Sequence, residues 1–209
     1  ARTKPLRQNR SLSSGAIEMY APTTHLALPF FDDAHRDLAQ RLSAWAPEQH
    51  VDESDDRAAC HEWVRRLGAA GWLRYCVPAA HGGALERLDS RALVILRETL
   101  AFHSPLADFA FAMQGLGSGA ITLAGTKQQQ ATYLAGVASG EKIAAFALSE
   151  ANAGSDAGAM TTSAVQDGNT WRLSGEKTWI SNGGMASFYC VFAKTDPAAG
   201  TRGITAFIV

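Results

Sequence analysis

Between Phe31 and Gly140 the apolar residues recur at the spacing of an α-helix; beyond Gly140 they recur at the spacing of a strand. Leu38, Leu42 and Trp45 fall at i, i+4 and i+7 behind the acidic pair Asp32-Asp33, which predicts a first amphipathic helix with its N-terminus favourably charged. Cys60, Trp63, Val64 and Leu67 repeat that spacing before Gly71 and predict a second. Pro78 and Gly82-Gly83 mark a loop, after which Leu93, Leu96 and Leu100, with Ile95 and Thr99, predict a third. From Leu106 to Ala124 the chain is nearly uncharged and rich in Ala, Gly, Phe and Leu, the composition of a helix hidden on most sides. Thr126, with Gln129 three residues on, makes a capping box for a fifth helix that carries Tyr133, Leu134 and Val137 and runs out at Gly140.

Val165, Trp171, Leu173, Trp179, Tyr189, Val191 and Phe207 then lie in short β-prone runs. The runs are separated by Asp167-Gly168, Ser174-Gly175, Asn182-Gly183-Gly184 and the stretch from Pro197 to Gly200. The predicted fold class is α+β: an all-α domain over 28–141, then an antiparallel, barrel-like β domain over 142–209. Residues 1–27 are expected to be a basic tail. Gly203 to Val209 reads as an apolar strand, and a strand that stops there leaves an unpaired edge, so the β domain is expected to be incomplete.

Composition changes this picture little. The 209 residues are 46% hydrophobic and 19% charged, which suits a buried core and argues against disorder. A formal net charge of -1 gives no electrostatic reason for nucleic acid or an anionic membrane as partner. Cys60, Cys76 and Cys190 are odd in number and far apart, so they read as free thiols in a reducing compartment. No apolar run is long enough to span a bilayer, and the six histidines show no metal-ligand spacing. Arg2, Lys4, Arg7 and Arg10, among serines and without an acid before Ile17, share the bias of mitochondrial transit peptides; the missing amphipathic stripe favours a plain tail. The expected location is a bacterial cytoplasm, with the mitochondrial matrix as the alternative.

Two runs carry the candidate chemistry. Phe146-Ala147-Leu148-Ser149-Glu150-Ala151-Asn152-Ala153-Gly154-Ser155-Asp156 is an apolar strand that breaks into a small, hydroxyl-rich loop whose backbone can approach a heteroaromatic or anionic ligand closely. Gly175-Glu176-Lys177-Thr178-Trp179-Ile180-Ser181-Asn182-Gly183-Gly184 sets an indole beside a hydroxyl on a β-like run ending in an Asn-Gly turn. Taken singly, Ser149 and Ser181 read as turn hydroxyls and Trp179 as sheet core; taken together they read as one pocket. Neither run has the spacing of a Walker loop or a G-x-G-x-x-G turn, so nucleoside triphosphates and NAD fall away.

The helices followed by a sheet, with these loops in the sheet, resemble the acyl-CoA dehydrogenase family. That family's Thr-Glu-Pro before Ala-Gly-Ser-Asp corresponds to Ser149-Glu150-Ala151 before Ala153-Gly154-Ser155-Asp156. Its Asn-Gly-x-Lys-x-Trp-Ile-Thr-Asn corresponds to the run from Ser174 to Asn182. Val77-Pro78-Ala79-Ala80-His81-Gly82-Gly83 resembles its Pro-x-x-x-Gly-Gly loop, and Gly125-Thr126-Lys127-Gln128-Gln129 its Gly-Thr-x-x-Gln helix start. The resemblance runs from about Phe31 to the end of the chain. It implies FAD held between the sheet domain and a C-terminal helical bundle, an acyl-CoA substrate losing an α-proton to a Glu or similar base, and a β-hydride passing to flavin N5. It also implies an electron-transfer flavoprotein as acceptor and a homo-oligomer, tetramer or dimer, for the full-length form.

By the same resemblance, backbone groups of Phe146 and Leu148 and the Ser149 hydroxyl meet the isoalloxazine edge, with Ala147 between them. Gly154 and Ser155 lie near the ribityl-phosphate, Ser155 also near the CoA thioester arm, and Trp179, Ile180 and Ser181 flank the ring. Ser149 and Ser181 keep the family's hydroxyls, whereas Ala151 loses the fixed φ of a proline. No residue matches the family's catalytic base, which the bundle carries; Glu150 is not assigned that role. Two alternatives stay open: an oxidase or monooxygenase on the same fold, and a non-catalytic chain that pairs with a partner subunit.

Overall fold

The computed structural model describes residues 23–209. The expected tail lies outside them over residues 1–22, and its last residues are not tail: Thr24–Ala27 form a 3-10 turn whose Leu26 packs into the helical core. Five α-helices follow among the described residues: α1 Asp33–Trp45, α2 Asp56–Ala69, α3 Ser90–His103, α4 Pro105–Ala124 and α5 Lys127–Ser139.

Each begins where a side chain satisfies the free N–H groups of its first turn. Asp32, Asp55, Asp89 and Ser104 accept them for α1 to α4, and Pro105 takes the first position of α4, where no N–H is needed. The capping box of Thr126 and Gln129 forms as predicted, at 3.2 and 2.8 Å. Gly140 closes α5 at φ 78°, and a Cβ there would lie 2.6 Å from the Val64 carbonyl oxygen. The core gathers Leu42, Leu67, Leu73, Ile95, Leu96, Phe111 and Leu134, all sealed from solvent.

The predicted face holds in α2, and in α1 at Leu38 and Leu42, with Trp45 only half-buried. In α3 the buried face is Ala92, Ile95, Leu96, Thr99 and Leu100, with Leu93 only half-buried. α4 departs further from expectation. Phe109, Leu116 and Leu123, seven residues apart, are exposed, so this apolar helix has one open stripe instead of being hidden on most sides.

The sheet is mixed, which corrects the antiparallel expectation. Its strands are β1 Ala144–Ala147, β2 Ser163–Asp167, β3 Thr170–Ser174, β4 Phe188–Lys194 and β5 Ile204–Ile208. β4 is central: β1 pairs with it in parallel, β2 meets it in parallel at Ser163 and Lys194, and β5 pairs with it antiparallel. Only β2–β3 and β4–β5 are antiparallel; the first pair is joined by the two-residue turn Gly168-Asn169 and the second by residues 195–203, which carry a 3-10 segment, and neither link is long enough for a crossover. β1 returns to β4 through forty residues that carry both candidate loops, a connection long enough for parallel pairing. Trp179 was expected on a β-like run; residues 175–187 form no strand.

The helical layer and the sheet meet where α4 crosses β1. At Gly117 a Cβ would lie 2.7 Å from the Ala144 Cβ and 3.0 Å from its backbone, so only glycine allows this approach. Three residues earlier the fully buried Gln114 accepts from the Ala144 N–H and donates to the Lys142 carbonyl, each at 2.8 Å. A polar amide in the most apolar helix thus satisfies the first backbone groups of β1, which would otherwise be buried without partners.

Candidate functional site

The first loop leaves β1 at Leu148 and doubles back between Glu150 and Ala153, whose backbones exchange hydrogen bonds of 2.9 and 3.1 Å. Glu150 points inward and is 8% exposed. Its carboxylate accepts from the Thr161 N–H at 2.6 Å, the Thr161 hydroxyl at 2.8 Å and the Thr162 N–H at 3.0 Å. Lys177 of the second loop completes the set with its Nζ 2.8 Å from Oε1, and also donates to the Leu148 carbonyl at 2.9 Å. Burial alone would raise the Glu150 pKa; the Lys177 ammonium and the threonine N–H groups outweigh it and hold the carboxyl well below the usual carboxylate range. Glu150 is therefore a committed anion. Its residual basicity is too small for a proton acceptor at neutral pH.

The second loop is fastened at both ends. The Thr178 N–H donates to the Ser149 carbonyl at 2.9 Å, next to the Lys177–Glu150 pair. At the other end the buried Asn182, at φ 62°, donates from Nδ2 to the Ala144 carbonyl at 2.8 Å and accepts from the Cys60 thiol of α2 at 3.6 Å. Arg57 of α2 donates to the Gly183 carbonyl at 3.1 Å. Gly175, at φ 150°, lets the loop start against Thr162, whose Oγ1 would be 2.5 Å from a Cβ.

Trp179, Ile180 and Ser181 are the three residues between these fastenings. Trp179 is held at φ 57°, a region that strains a bulky side chain, and its indole is 90% exposed. An indole turned to solvent on a strained backbone is the reverse of the sheet-core reading. Ser149 and Ser181 are half-buried, and among the described residues neither hydroxyl has a hydrogen-bond partner. Phe146 packs on Phe192 with ring centroids 4.9 Å apart, Leu148 is half-buried, and Ala147 is buried in the sheet. Gly154 and Ser155 are exposed, and no atom lies within 4 Å of where a Gly154 Cβ would stand, so that side of the loop is open.

The nine residues singled out in the sequence thus fall into two adjacent loops and the strand that feeds them, joined directly at Ser149 and Thr178. The side chains that fasten the loops, Asn182, Cys60, Arg57 and Lys177, are not among those nine. Lys177 and Asn182 stand in the second run itself, whereas Cys60 and Arg57 of α2 carry no local signal. Beside the loop, Ile180, Asn182 and Gly183 share a cleft of about 600 Å³ with Asp56 and Cys60 of α2 and Phe109 of α4. Among the described residues no group of three His, Cys, Asp or Glu could hold a metal, and no helix is long and apolar enough to cross a membrane.

A helical layer is thus fastened to a mixed sheet, and the two loops at the sheet carry an exposed indole and, among the described residues, two hydroxyls without a partner. Residues 32–141 match the family profile described as acyl-CoA dehydrogenase, N-terminal domain, and residues 145–209 that of the middle domain. The chain belongs to the acyl-CoA dehydrogenase family. It is 37% identical over 190 residues to the probable acyl-CoA dehydrogenase fadE25 of Mycobacterium leprae, covering 87% of this chain and 48% of that one. It is 35% identical over 175 residues to the caffeyl-CoA reductase-Etf complex subunit CarC of Acetobacterium woodii, covering 83% and 45%. The acyl-CoA dehydrogenase of Bacillus anthracis, solved in complex with FAD, superposes with a TM-score of 0.71 at 30% identity, over 86% of this chain and 31% of that one. The chain spans about half the length of the curated relatives it matches.

Proposed function

We propose that this chain forms the N-terminal and middle parts of an FAD-dependent acyl-CoA dehydrogenase acting on the CH-CH bond next to an acyl-CoA thioester. The observation that carries the reading is Trp179: an exposed indole, strained, on a loop fastened on both sides, with Ser149 and Ser181, whose hydroxyls have no partner among the described residues, in the same pair of loops. Strain of this kind persists only where surrounding structure enforces it. These residues fit a flat heteroaromatic ring: one apolar face, hydroxyls at its edge, and open space at Gly154 for an approaching phosphate or pantetheine arm. Bound FAD would supply the two-electron acceptor for the hydride leaving Cβ.

The chain's own residues bind and orient. Ser149 and the backbone of Phe146, Ala147 and Leu148 supply the edge; Trp179, Ile180 and Ser181 supply the face and exclude water from it. Gly154 and Ser155 take the ribityl-phosphate, and Ser155 the thioester arm. No residue here is assigned as the base that removes the α-proton; Glu150, ion-paired and held ionised, is excluded from that role. The relation to an Etf-complex subunit supports an electron-transfer flavoprotein as electron acceptor. A homo-oligomer, and a place in fatty-acid metabolism, complete the reading.

The test is the purified full-length protein. It should be yellow, and anaerobic addition of short acyl-CoAs should bleach the flavin band, with recovery on adding an electron-transfer flavoprotein. Fast recovery on oxygen alone would instead make it an oxidase, and a protein that takes up no FAD on reconstitution would sink the reading.

A further inference from the structure

The Lys177–Glu150 pair is buried on both partners and makes more contacts than charge neutrality needs. Lys177 Nζ reaches Glu150 Oε1 at 2.8 Å, the Leu148 carbonyl at 2.9 Å and the Met160 sulfur at 3.9 Å. With the Thr178 N–H on the Ser149 carbonyl, three successive residues of the first loop are fixed by two successive residues of the second. The other ion pairs that involve lysine or arginine among the described residues are more exposed, as at Arg97–Asp108 or Arg172–Asp167. Burying such a pair rarely adds stability over an apolar pair of the same volume, because desolvation offsets the attraction. What the pair does supply is a unique register between the loops, since a charged head with three donors accepts only one arrangement of a carboxylate and a carbonyl.

We propose that Glu150 and Lys177 are positioning residues: their ion pair sets Ser149 against Trp179 and so fixes the geometry in which a flat redox cofactor is held. The inference rests on the flavin reading, and it adds a role that none of the nine candidate residues has. Glu150 and Lys177 touch no reacting atom. They act through Ser149 and Thr178, one residue away on each side.

The informative variant is the double substitution E150Q/K177M, which keeps the volume and leaves one amide oxygen for the Thr161 or the Thr162 N–H, which bond different carboxylate oxygens in wild type. It removes the tie without leaving a buried charge unpaired, so it should unfold at a higher temperature than K177M alone. Two readouts then separate register from stability in the full-length protein. With 5-fluorotryptophan incorporated, the 19F resonance of Trp179, assigned through W179F, should be a single sharp line in wild type, reporting one loop conformation, and should broaden, split or move in the double variant. The FAD dissociation constant should rise about tenfold, about 1.4 kcal/mol, with loss of fine structure in the flavin band. The control R97M/D108N, at a more exposed pair that bonds neither loop, should change neither. An unchanged Trp179 resonance with unchanged FAD affinity overturns the proposal. If wild type binds no FAD, the flavin reading fails by itself, and the 19F comparison still decides whether the pair sets the loop. If the double variant does not fold, E150Q alone keeps the acceptor and removes the charge; a moved Trp179 resonance and weaker FAD binding then support the proposal, and no change in either overturns it.

Discussion

Leu42, Leu67, Leu96, Phe111 and Leu134 are held in the helical layer by close apolar packing, whereas the loops over 148–162 and 175–187 bury few large side chains and are held by individual hydrogen bonds. Apolar burial is non-directional and grows with area, so it stabilises the layer without fixing any one atom tightly. Hydrogen bonds do the reverse. Each contributes only about 0.5–1.5 kcal/mol net, but it specifies a distance and an angle. One half of the molecule supplies stability and the other supplies position, and α4 joins them through Gly117 and Gln114.

That contrast can be broken at its strong end first. Phe111→Ala, at a side chain 1% exposed, should cost about 3–5 kcal/mol in urea unfolding. A loss under 1 kcal/mol would mean the layer is not the stabilising half. Lys177→Met should cost a similar amount for a different reason, about 3–5 kcal/mol, because it strands the Glu150 carboxylate. The two are told apart by pH. Since the folded Glu150 pKa lies below its unfolded value of about 4.3, the stability it contributes is complete above that pH and is lost as the pH falls further. The gap between wild type and Lys177→Met should therefore narrow from pH 7 to pH 3, while that of Phe111→Ala stays wide. Equal narrowing in both would refute the assignment.

Two neighbouring glycines of α4 sharpen the junction. Gly119 has nothing within 4 Å of a Cβ, so Gly119→Ala should gain about 0.5–1 kcal/mol of helix propensity. Gly117→Ala makes the same gain, but its Cβ would meet Ala144 at 2.7 Å, and overpacking costs about 1–3 kcal/mol, so the clash wins. Opposite signs in thermal melts are the expected outcome. The smallest effect falls at the most conspicuous residue: Trp179→Ala, at an exposed indole, should change stability by less than about 0.5 kcal/mol while abolishing tight FAD retention. A large loss of stability would return Trp179 to the core reading.

The helices were legible because their signals are local. Leu38 and Leu42 share a face through a spacing of four, and Thr126 and Gln129 reach each other across a single turn. The two loops were legible as runs of residues, since Ser149, Ser155, Trp179 and Ser181 stand in short motifs. The strand directions were not. Parallel pairing of β1 with β4 joins residues more than forty apart, and alternation along a strand is the same for either direction. Nor could the period of α4 show that Phe109, Leu116 and Leu123 lie uncovered, because an apolar stripe looks alike whether something packs on it or not.

Local pattern was enough to mark which segments are helical, where α1 and α5 begin, and which two runs carry the candidate chemistry, because capping, periodicity and turn-forming residues act within a few positions. That Glu150 is an anchored anion, that Asn182 links β1 to α2, and that Trp179 faces outward at positive φ emerge from the folded chain alone. Those facts rest on partners 27, 38 and 122 residues apart in the chain, a separation no local pattern encodes.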